Sequence, residues 1–204
     1  DALFLGLKSM GIGPGDEVIT TSLSWIATAN AIAMTGATPV FADIGTDLNI
    51  DPASVSRLLS RRTKAILPVH YTGRVCGMDK LLGIGRAKNI PVVEDASQAF
   101  SATFKGQPAG SFGLLGCFSM NPMKILGACG EAGMIVLDRI DLRNRLLALR
   151  YNGTVNREIC LEPSINSRLD TIQAAMLLER LRHVGSIVRK RRAIAAYYEK
   201  SLSD

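Results

Sequence analysis

The stretch KAILPVHYTGRVCGMDKLLGIGRAKNIPVVED, residues Lys64 to Asp95, decides the fold. It begins with the apolar run KAILPVH and ends with the apolar run PVVED, and each run has the length and composition of a buried strand. Between them, the segment from Met78 to Lys88 has the pattern of a helix. A strand, a helix and a second strand in this order predict an α/β fold, because parallel strands need a crossover connection.

The same alternation continues along the rest of the chain. Further strands are predicted at EVITT, TPVFAD, GCFSM and GMIVL. Further helices are predicted near Ala2 to Met10, Trp25 to Met34, Pro52 to Leu59, Leu142 to Arg150, Leu169 to Arg182 and Ser186 to Ser201. Continuous apolar strands are typical of a mainly parallel sheet with helices on both faces, whose ligands bind at the carboxyl ends of the strands. We therefore expect functional side chains at that edge.

Composition narrows the class of protein. The 204 residues are 47% hydrophobic and 21% charged, which is typical of a globular protein with one large core. No apolar run approaches the roughly 20 residues that span a bilayer, and the start, DALFLGLKSMG, lacks the basic segment of a signal peptide. We expect a cytoplasmic protein that does not bind a membrane.

The four cysteines form no metal-binding pattern. Cys76, Cys117, Cys129 and Cys160 contain no CxxC pair, and the chain has only two histidines to assist them. We therefore expect no metal site, and free thiols in a reducing compartment.

The net charge of +6 raises the question of nucleic acid. Positive residues are dispersed except for RKRR at 189–192, which lies in a segment whose apolar residues recur at helical spacing. A solvated helix face explains this run better than a phosphate-binding patch, because no aromatic platform accompanies it. We expect no nucleic-acid partner.

Two acidic residues end the strand PVVED, and Gln98 follows three residues after Asp95. An acid at the carboxyl end of a strand faces the expected ligand crevice. Alternatively, Asp95 caps the following turn or helix, as aspartate often does. Trp25, the only tryptophan, stands at a predicted helix start after a strand, where a core aromatic is the plainer interpretation.

A second candidate segment is CFSMNPMKILGACGEAG, from Cys117 to Gly133. Lys124 has no carboxylate within six residues on either side, so a local helix-face ion pair is not available to it. A lysine shielded from water can act as a nucleophilic amine, although a lone lysine is more often an extended surface residue. Ser119 lies in or just after the strand that precedes it.

Joined in order, these motifs resemble the DegT/StrS family of sugar aminotransferases, which use pyridoxal phosphate on the aspartate-aminotransferase fold. The resemblance covers nearly the whole chain. Its matching segments are DALFLGLKSMGIGPGDEVIT, ATANAIAMTGATPVFADI, RTKAILPVHYTG, PVVEDASQAFSATFKGQPAGSFG, GCFSMNPMK and NSRLDTIQAAML. It implies that residues 1–185 are the large cofactor domain, incomplete at its N-terminus. Residues 186–204 would be a helix that leads toward a small C-terminal domain absent from this chain.

The resemblance also implies roles for residues around the cofactor ring. Lys124 matches the lysine that forms the internal aldimine, which explains why its amine is not engaged by a local acid. Asp95 matches the acid that keeps the pyridine nitrogen protonated, so that the ring accepts electrons. Gln98 matches a side chain near the ring hydroxyl. Trp25 matches an aromatic that stacks on the ring face.

Three more residues are carried over on the phosphate side of the cofactor. Ser119 matches a phosphate ligand, and Ala2 is placed among the cofactor-binding residues. Asn166, in INSRLD, matches an asparagine that reaches the phosphate of the neighbouring subunit's cofactor. The resemblance thus implies a homodimer with shared active sites.

The reaction implied is a ping-pong transamination. An amino donor, commonly glutamate in this family, aminates the cofactor, which then aminates a keto sugar that is usually linked to a nucleotide. Lys124 would move the proton between the substrate carbon and the cofactor. Ile125 replaces the commoner asparagine after the lysine, which puts substrate choice in doubt, whereas Lys124 itself argues against the dehydratase branch, in which histidine takes its place.

Two other readings remain open at this level. The chain could be a basic regulatory or nucleic-acid-binding protein, since family members were once proposed as regulators. It could also be a fragment that binds cofactor without turnover, because segments of the family pattern are missing from it.

Overall fold

The computed structural model describes residues 1–202 and contains alternating helices and strands. The helices are α1 (Ala2–Ser9), α2 (Ala27–Met34), α3 (Pro52–Leu58), α4 (Met78–Lys88), α5 (Ile140–Leu149) and α6 (Thr171–Ser201), with a 3-10 turn at Tyr71–Gly73. The strands are β1 (Glu17–Thr21), β2 (Thr38–Ala42), β3 (Thr63–Ile66), β4 (Val93–Asp95), β5 (Thr103–Phe104), β6 (Gln107–Pro108), β7 (Leu115–Ser119), β8 (Gly133–Val136), β9 (Thr154–Val155) and β10 (Ile159–Cys160).

The chain forms two compact units. The first contains Asp1–Ser119 and Gly133–Arg168, and it holds every strand named above. The second contains Met120–Ala132 and the residues from Leu169 onward, including α6.

The first unit is built on a mainly parallel sheet. Strands β2, β1 and β3 pair in parallel in that order, and β4 pairs in parallel with β7. Parallel bridges from Ile66 to Val92 and from Val69 to Asp95 join the two groups into the order β2-β1-β3-β4-β7-β8. Strand β8 pairs antiparallel with β7. The α/β prediction and the mainly parallel sheet are confirmed.

Alternate residues of the central strands pack into two apolar clusters, one on each face of the sheet. Val18 and Leu67 join the cluster that includes residues of α1, α2 and α5. Ile19 and Ile66 join the cluster that includes residues of α3 and α4. Because side chains alternate across a strand, adjacent residues of β1 supply opposite faces. The helices therefore cover both faces, as the continuous apolar strands predict.

One helix prediction is wrong. Two helices were expected, ending at Arg182 and beginning at Ser186, but α6 is continuous from Thr171 to Ser201. The separating residues include Gly185, and a single glycine costs a helix only about 1 kcal/mol relative to alanine, which continued hydrogen bonding offsets. The expected domain boundary at 185/186 therefore falls inside a helix. The division into a cofactor domain and a following segment stays a prediction.

Small elements and side-chain states complete the description. The hairpins β5–β6 and β9–β10, each with two-residue strands, were not predicted.

All four cysteines are free: Cys76 and Cys117 are buried, whereas Cys129 and Cys160 are exposed. Among residues 1–202, no helix has the length and apolar character to cross a membrane. In that same range, no group of three or more His, Cys, Asp or Glu side chains is arranged to hold a metal ion.

Candidate active site

The candidate site lies at the carboxyl edge of the sheet, where β4 and β7 end side by side. Asp95 is the last residue of β4 and pairs in register with Cys117, so Ser119 ends β7 two residues further on. Gln98 lies on the turn that follows β4, which the Ala99 amide closes on the Ala96 carbonyl at 2.9 Å. Parallel topology thus brings Asp95, Gln98 and Ser119 to one edge of the first unit.

The Asp95 carboxylate is buried and has no cationic partner in the part of the chain that the structure describes. The residue is 3% exposed, and none of the ion pairs formed by residues 1–202 includes it. Oδ2 accepts a hydrogen bond of 2.8 Å from the Thr28 hydroxyl, and Oδ1 accepts one of 3.1 Å from the Ser97 amide. Two oxygens offer about four acceptor positions, so about two remain for a ligand. A buried carboxylate in this state is suited to a cationic partner, because an unpaired buried charge is costly.

Trp25 stands on the segment that enters α2, directly beside this carboxylate's hydrogen-bond partner. The Thr28 amide donates to the Trp25 carbonyl at 3.1 Å, and the Ser24 hydroxyl lies 2.7 Å from the Thr28 hydroxyl. Trp25 is 76% exposed. The plainer interpretation of Trp25 as a core aromatic is therefore wrong, and its indole is accessible to a ligand.

Beneath Asp95, the neighbouring Glu94 joins three parts of the first unit. Its side chain is fully buried, and Oε2 lies 2.9 Å from His70 Nε2. The backbone amides of Gly110, Phe112 and Gly113 each donate to it at 2.7 Å. Glu94 therefore ties the loop before β7 to the segment that follows β3.

The hydrogen bonds around His70 fix its tautomer. The Cys76 amide donates to His70 Nδ1 at 3.3 Å, so Nδ1 accepts and the ring proton is on Nε2, facing the Glu94 carboxylate. Burial by itself raises the pKa of Glu94, but hydrogen bonds from His70, Gly113 and Gly110 outweigh it and hold that pKa below its ordinary value. Glu94 is thus an ionised acid whose carboxylate is fully occupied by hydrogen bonds from His70 and the loop amides. The His70 amide also donates to the Asp95 carbonyl at 3.0 Å, which anchors the end of β4.

Ala2 lies in the first turn of α1. Its carbonyl accepts from the Cys117 thiol at 3.4 Å, so the start of α1 lies beside β7. The Leu5 amide bonds to the Asp1 carbonyl at 2.8 Å, whereas the first amides of a helix have no intrahelical acceptor and commonly bind anions. Ala2 therefore belongs to the same edge as Ser119.

Lys124 lies in the second unit, on the segment between β7 and β8. It is half-buried, and its amide donates to the Asn121 carbonyl at 2.9 Å in a tight turn. A Cβ at Gly127 would lie 2.6 Å from the Pro122 carbonyl oxygen, so the turn requires glycine there. The acid nearest in sequence, Glu131, accepts a hydrogen bond of 2.7 Å from Asn121 instead. No ion pair of residues 1–202 includes Lys124, in agreement with the sequence argument.

The segment that carries Lys124 is held to α6 within the second unit. The Cys129 amide donates to Gln173 Oε1 at 2.9 Å, and Arg191 donates to the Met123 carbonyl at 3.5 Å. These contacts fix the segment on both sides of Lys124.

Asn166 is exposed and belongs to a different part of the first unit. It bridges Tyr151 antiparallel, and its Oδ1 accepts from Arg168 at 3.0 Å. The guanidinium of Arg168 in turn lies 4.5 Å from the centre of the Tyr151 ring. The role of Asn166 toward a second subunit stays a prediction.

The structure thus gathers Ala2, Trp25, Asp95, Gln98 and Ser119 at one edge of the first unit. Sequence reasoning missed the roles of Ser24, Thr28, His70 and Glu94. Ser24 lies before the N-cap of α2 and Thr28 in its first turn, so helical spacing gave no signal for this pair. His70 ends the apolar run KAILPVH, so its position at the carboxyl edge could have been inferred.

Comparison with known proteins assigns the fold to a family. The model of the DegT/DnrJ/EryC1/StrS aminotransferase family matches residues 1–204. GDP-perosamine synthase from Caulobacter vibrioides is 41% identical over 205 residues, which are 99% of this chain and 55% of that protein. A pleiotropic regulatory protein from Geobacillus stearothermophilus is 39% identical over 205 residues, covering 100% of this chain and 55% of that protein. The chain therefore spans about half the length of these relatives.

Solved structures of aminotransferases have the same fold as this chain. Streptomyces venezuelae DesV, in complex with a ketimine intermediate, superposes with a TM-score of 0.95 at 41% identity over 99% of this chain and 55% of that one. NtdA from Bacillus subtilis, with bound cofactor PMP, gives a TM-score of 0.91 at 33% identity over 99% of this chain and 46% of that one. The fold is therefore that of the pyridoxal-phosphate aminotransferases, and this chain belongs to the DegT/DnrJ/EryC1/StrS aminotransferase family.

Proposed function

We propose that the protein to which this chain belongs transfers an amino group, from glutamate, to a nucleotide-linked keto sugar in amino-sugar biosynthesis. The observation that carries the proposal is the Asp95 carboxylate, which is buried at the carboxyl edge of the sheet, accepts hydrogen bonds from the Thr28 hydroxyl and the Ser97 amide, and forms no ion pair with residues 1–202. Family membership supplies the chemistry, since this family uses pyridoxal 5'-phosphate.

The residues present fit that cofactor. Asp95 would accept a hydrogen bond from the protonated ring nitrogen, and Gln98 would approach the ring hydroxyl from the next turn. Trp25 would cover one ring face with its accessible indole. Ser119 and the first turn of α1 at Ala2 would hold the phosphate, as hydroxyls and helix N-termini do. When bound, the cofactor supplies an electron-accepting ring that stabilises negative charge at the reacting carbon.

Lys124 is assigned the covalent attachment and the proton transfer. Its amine would bond to the aldehyde carbon of the cofactor with loss of water, and would then be released when the amino donor takes its place. Free Lys124 would move a proton between the substrate carbon and the cofactor. Overall, the amino group of glutamate would pass to the keto carbon of the sugar, whose oxygen would leave as water, and a second water would supply the carbonyl oxygen of the keto acid. The balance therefore needs no added oxidant or reductant.

Assembly and location form part of the same proposal. We propose a homodimer in which Asn166 reaches the cofactor of the other subunit, because Asn166 matches the family asparagine with that role and is exposed on this chain. Four free cysteines suit a reducing compartment such as the cytoplasm. We propose that residues 1–185 form the cofactor-binding part and that residues 186–204 lead into a further domain.

The test is covalent capture in the full-length protein. Sodium borohydride reduction in the presence of pyridoxal phosphate, followed by peptide mapping, is expected to place the adduct on Lys124. A Lys124→Arg variant keeps the charge and is the matched control, in which the adduct is expected to disappear. An adduct on a different lysine, or none on the full-length protein, would overturn the assignment.

A regulatory role is the second candidate, favoured by the name of the Geobacillus relative and by the exposed basic run at 189–192 on α6. It predicts salt-dependent retention on DNA without any response to pyridoxal phosphate. Pyridoxal-phosphate-dependent amination by full-length protein that is not retained on DNA at about 0.15 M salt would exclude it.

A further inference from the structure

Thr28 forms an unusual side-chain contact for a threonine in a helix. It is 2% exposed, lies in the first turn of α2, and donates 2.8 Å to Asp95 Oδ2 across 67 residues of chain. Two other hydroxyls of this unit bond back to their own helix: Thr35 donates to the Ile32 carbonyl and Ser9 to the Gly6 carbonyl, both at 2.7 Å. The Ser54 hydroxyl in α3 does reach a carboxylate outside its helix, Asp43 Oδ2 at 3.1 Å, but that carboxylate is exposed. Back-bonding is the ordinary use of a helical hydroxyl. The Thr28 hydroxyl instead donates its one hydrogen to the Asp95 carboxylate in the candidate site.

That proton also sets the direction of the next hydrogen bond. An ionised carboxylate only accepts, so the hydrogen between Thr28 and Asp95 comes from Thr28. The Thr28 oxygen then has no proton left for the 2.7 Å contact with Ser24, so Ser24 is the donor there. The result is a directed chain from Ser24 through Thr28 to Asp95.

We infer that Ser24 and Thr28 are positioning residues that fix the orientation of the Asp95 carboxylate toward the ring nitrogen of the cofactor. The inference rests on the proposed function, because that function gives Asp95 its partner. Two donors, Thr28 on Oδ2 and the Ser97 amide on Oδ1, hold the plane of the carboxylate. Without the Thr28 hydroxyl, the Ser97 amide alone holds the carboxylate, which can then rotate away from the line on which the ring nitrogen lies.

The matched variants differ by single groups. Thr28→Val removes the hydroxyl at nearly constant shape, and Thr28→Ser restores it. Thr20→Val is the control for buried hydroxyl loss, because Thr20 is fully buried and its hydroxyl donates to the Leu67 carbonyl at 2.8 Å rather than to Asp95. Ser24→Ala removes the first donor of the chain. All are made in the full-length protein and loaded with pyridoxal phosphate.

The measurement is the pH titration of the visible absorbance of the bound cofactor, with kcat and KM for the amino donor. A displaced carboxylate stabilises the ring charge less, and the nitrogen of the Lys124 linkage then holds its proton to higher pH. For Thr28→Val, we expect the titration midpoint to rise by about one pH unit and kcat to fall about tenfold, which corresponds to loss of one charge-assisted hydrogen bond. We expect KM to change little, Thr28→Ser and Thr20→Val to titrate as the wild type, and Ser24→Ala to shift in the same direction by a smaller amount.

The outcomes separate this inference from the proposed function. If Asp95→Asn moves the titration but Thr28→Val and Thr28→Ser both titrate as the wild type, the positioning role is wrong and the proposed function stands. If Thr20→Val shifts the midpoint as much as Thr28→Val, the effect is general destabilisation and the inference is wrong. If the wild-type protein binds no pyridoxal phosphate at Lys124, the proposed function is wrong, and the inference that rests on it is wrong with it.

Discussion

His70 Nε2 lies 2.9 Å from Glu94 Oε2 with both side chains fully buried, and this pair connects the segment that follows β3 to strand β4. The carboxylate beside it in sequence, Asp95, has no cationic partner among residues 1–202. Two adjacent acids therefore have different roles. The Glu94 carboxylate is paired within the protein, whereas the Asp95 carboxylate is the one proposed to bind a ligand.

Replacement of Glu94 by glutamine is expected to destabilise the fold. The amide retains one oxygen but presents hydrogens to donors such as the Gly110, Phe112 and Gly113 amides, which leaves buried groups unpaired. We expect a loss of about 2 to 4 kcal/mol in the free energy of unfolding. Urea unfolding monitored by circular dichroism measures this change in the free energy of unfolding. Asp79→Asn makes the same chemical change at an exposed pair with Lys105 and should be close to neutral; equal losses would contradict the buried role.

Acid should destabilise the protein through Glu94. The pKa of Glu94 lies below its ordinary value in the folded state, so its contribution is complete above the unfolded value of about 4.3 and is lost as the pH falls through the folded-state pKa. The free energy of unfolding, measured from about pH 6 to pH 3, should fall less steeply for Glu94→Gln than for the wild type. Identical slopes in the two proteins would remove Glu94 from acid unfolding.

The cysteines should divide into two classes of reactivity. Burial, and secondarily the charge of Asp47, raises the pKa of Cys76 to about 12, and burial also raises the pKa of Cys117. Since the thiolate is the reactive form, iodoacetamide near neutral pH should label Cys129 and Cys160 in this chain and leave the buried pair intact. Peptide mass mapping identifies the sites, and denatured protein should be labelled at all four. Labelling of Cys117 in the folded state at the rate of Cys129 would be incompatible with the buried strand.

Asp95→Asn should slow transamination without unfolding the protein. The amide has no negative charge with which to stabilise a protonated ring nitrogen, and we expect turnover to fall by about 10²-fold or more. Single-turnover kinetics of the full-length protein, with circular dichroism as the check on folding, measures this. Asp16→Asn is the matched control, because Asp16 bonds to the Gly13 amide before β1, at the amino edge of the sheet. Wild-type turnover in Asp95→Asn would remove Asp95 from the mechanism.

Shared sites can be tested by subunit exchange. Inactive Lys124→Ala chains mixed with inactive Asn166→Ala chains would form heterodimers with one doubly damaged site and one intact site, because a two-fold interface exchanges identical contacts. Activity should therefore return in the heterodimer fraction. The exposed apolar residues Ile172 and Met176 on α6 are consistent with a covered face. Verified heterodimers without activity, or an active monomer in sedimentation, would disprove the shared site.

Much of the fold was predictable because its signals are local. The runs KAILPVH and PVVED, which contain β3 and β4, are apolar and have the length of strands. Helix α4 ends at Asn89 in the left-handed conformation that commonly terminates helices. The two-residue hairpins were missed because they are too short to show periodicity. The continuity of α6 through residues 183–185 was not predicted; the helix contains Gly185, whose energetic cost is small.

The site was less predictable than the fold. Asp95 and Gln98 follow from their place after a strand, but the bond between Thr28 and Asp95 joins residues that 67 positions separate. Similarly, Glu94 was visible as an acid at the end of a strand, whereas its three amide donors come from a loop whose conformation no local pattern specifies. Hydrogen bonds of this kind depend on packing of distant segments, and only the folded chain displays them.

The pairing of β7 with β8 has a consequence for how such a protein can diversify. Ser119 and Gly133 are partners in the antiparallel ladder, so the residues that connect them, Lys124 included, leave the sheet and return to it at the same rung. Loops closed in this way tolerate changes of sequence and length without shifting the strands. Side chains on the connecting segment, including the one at position 124, can therefore change without a shift in strand register, provided that Gly127 is kept.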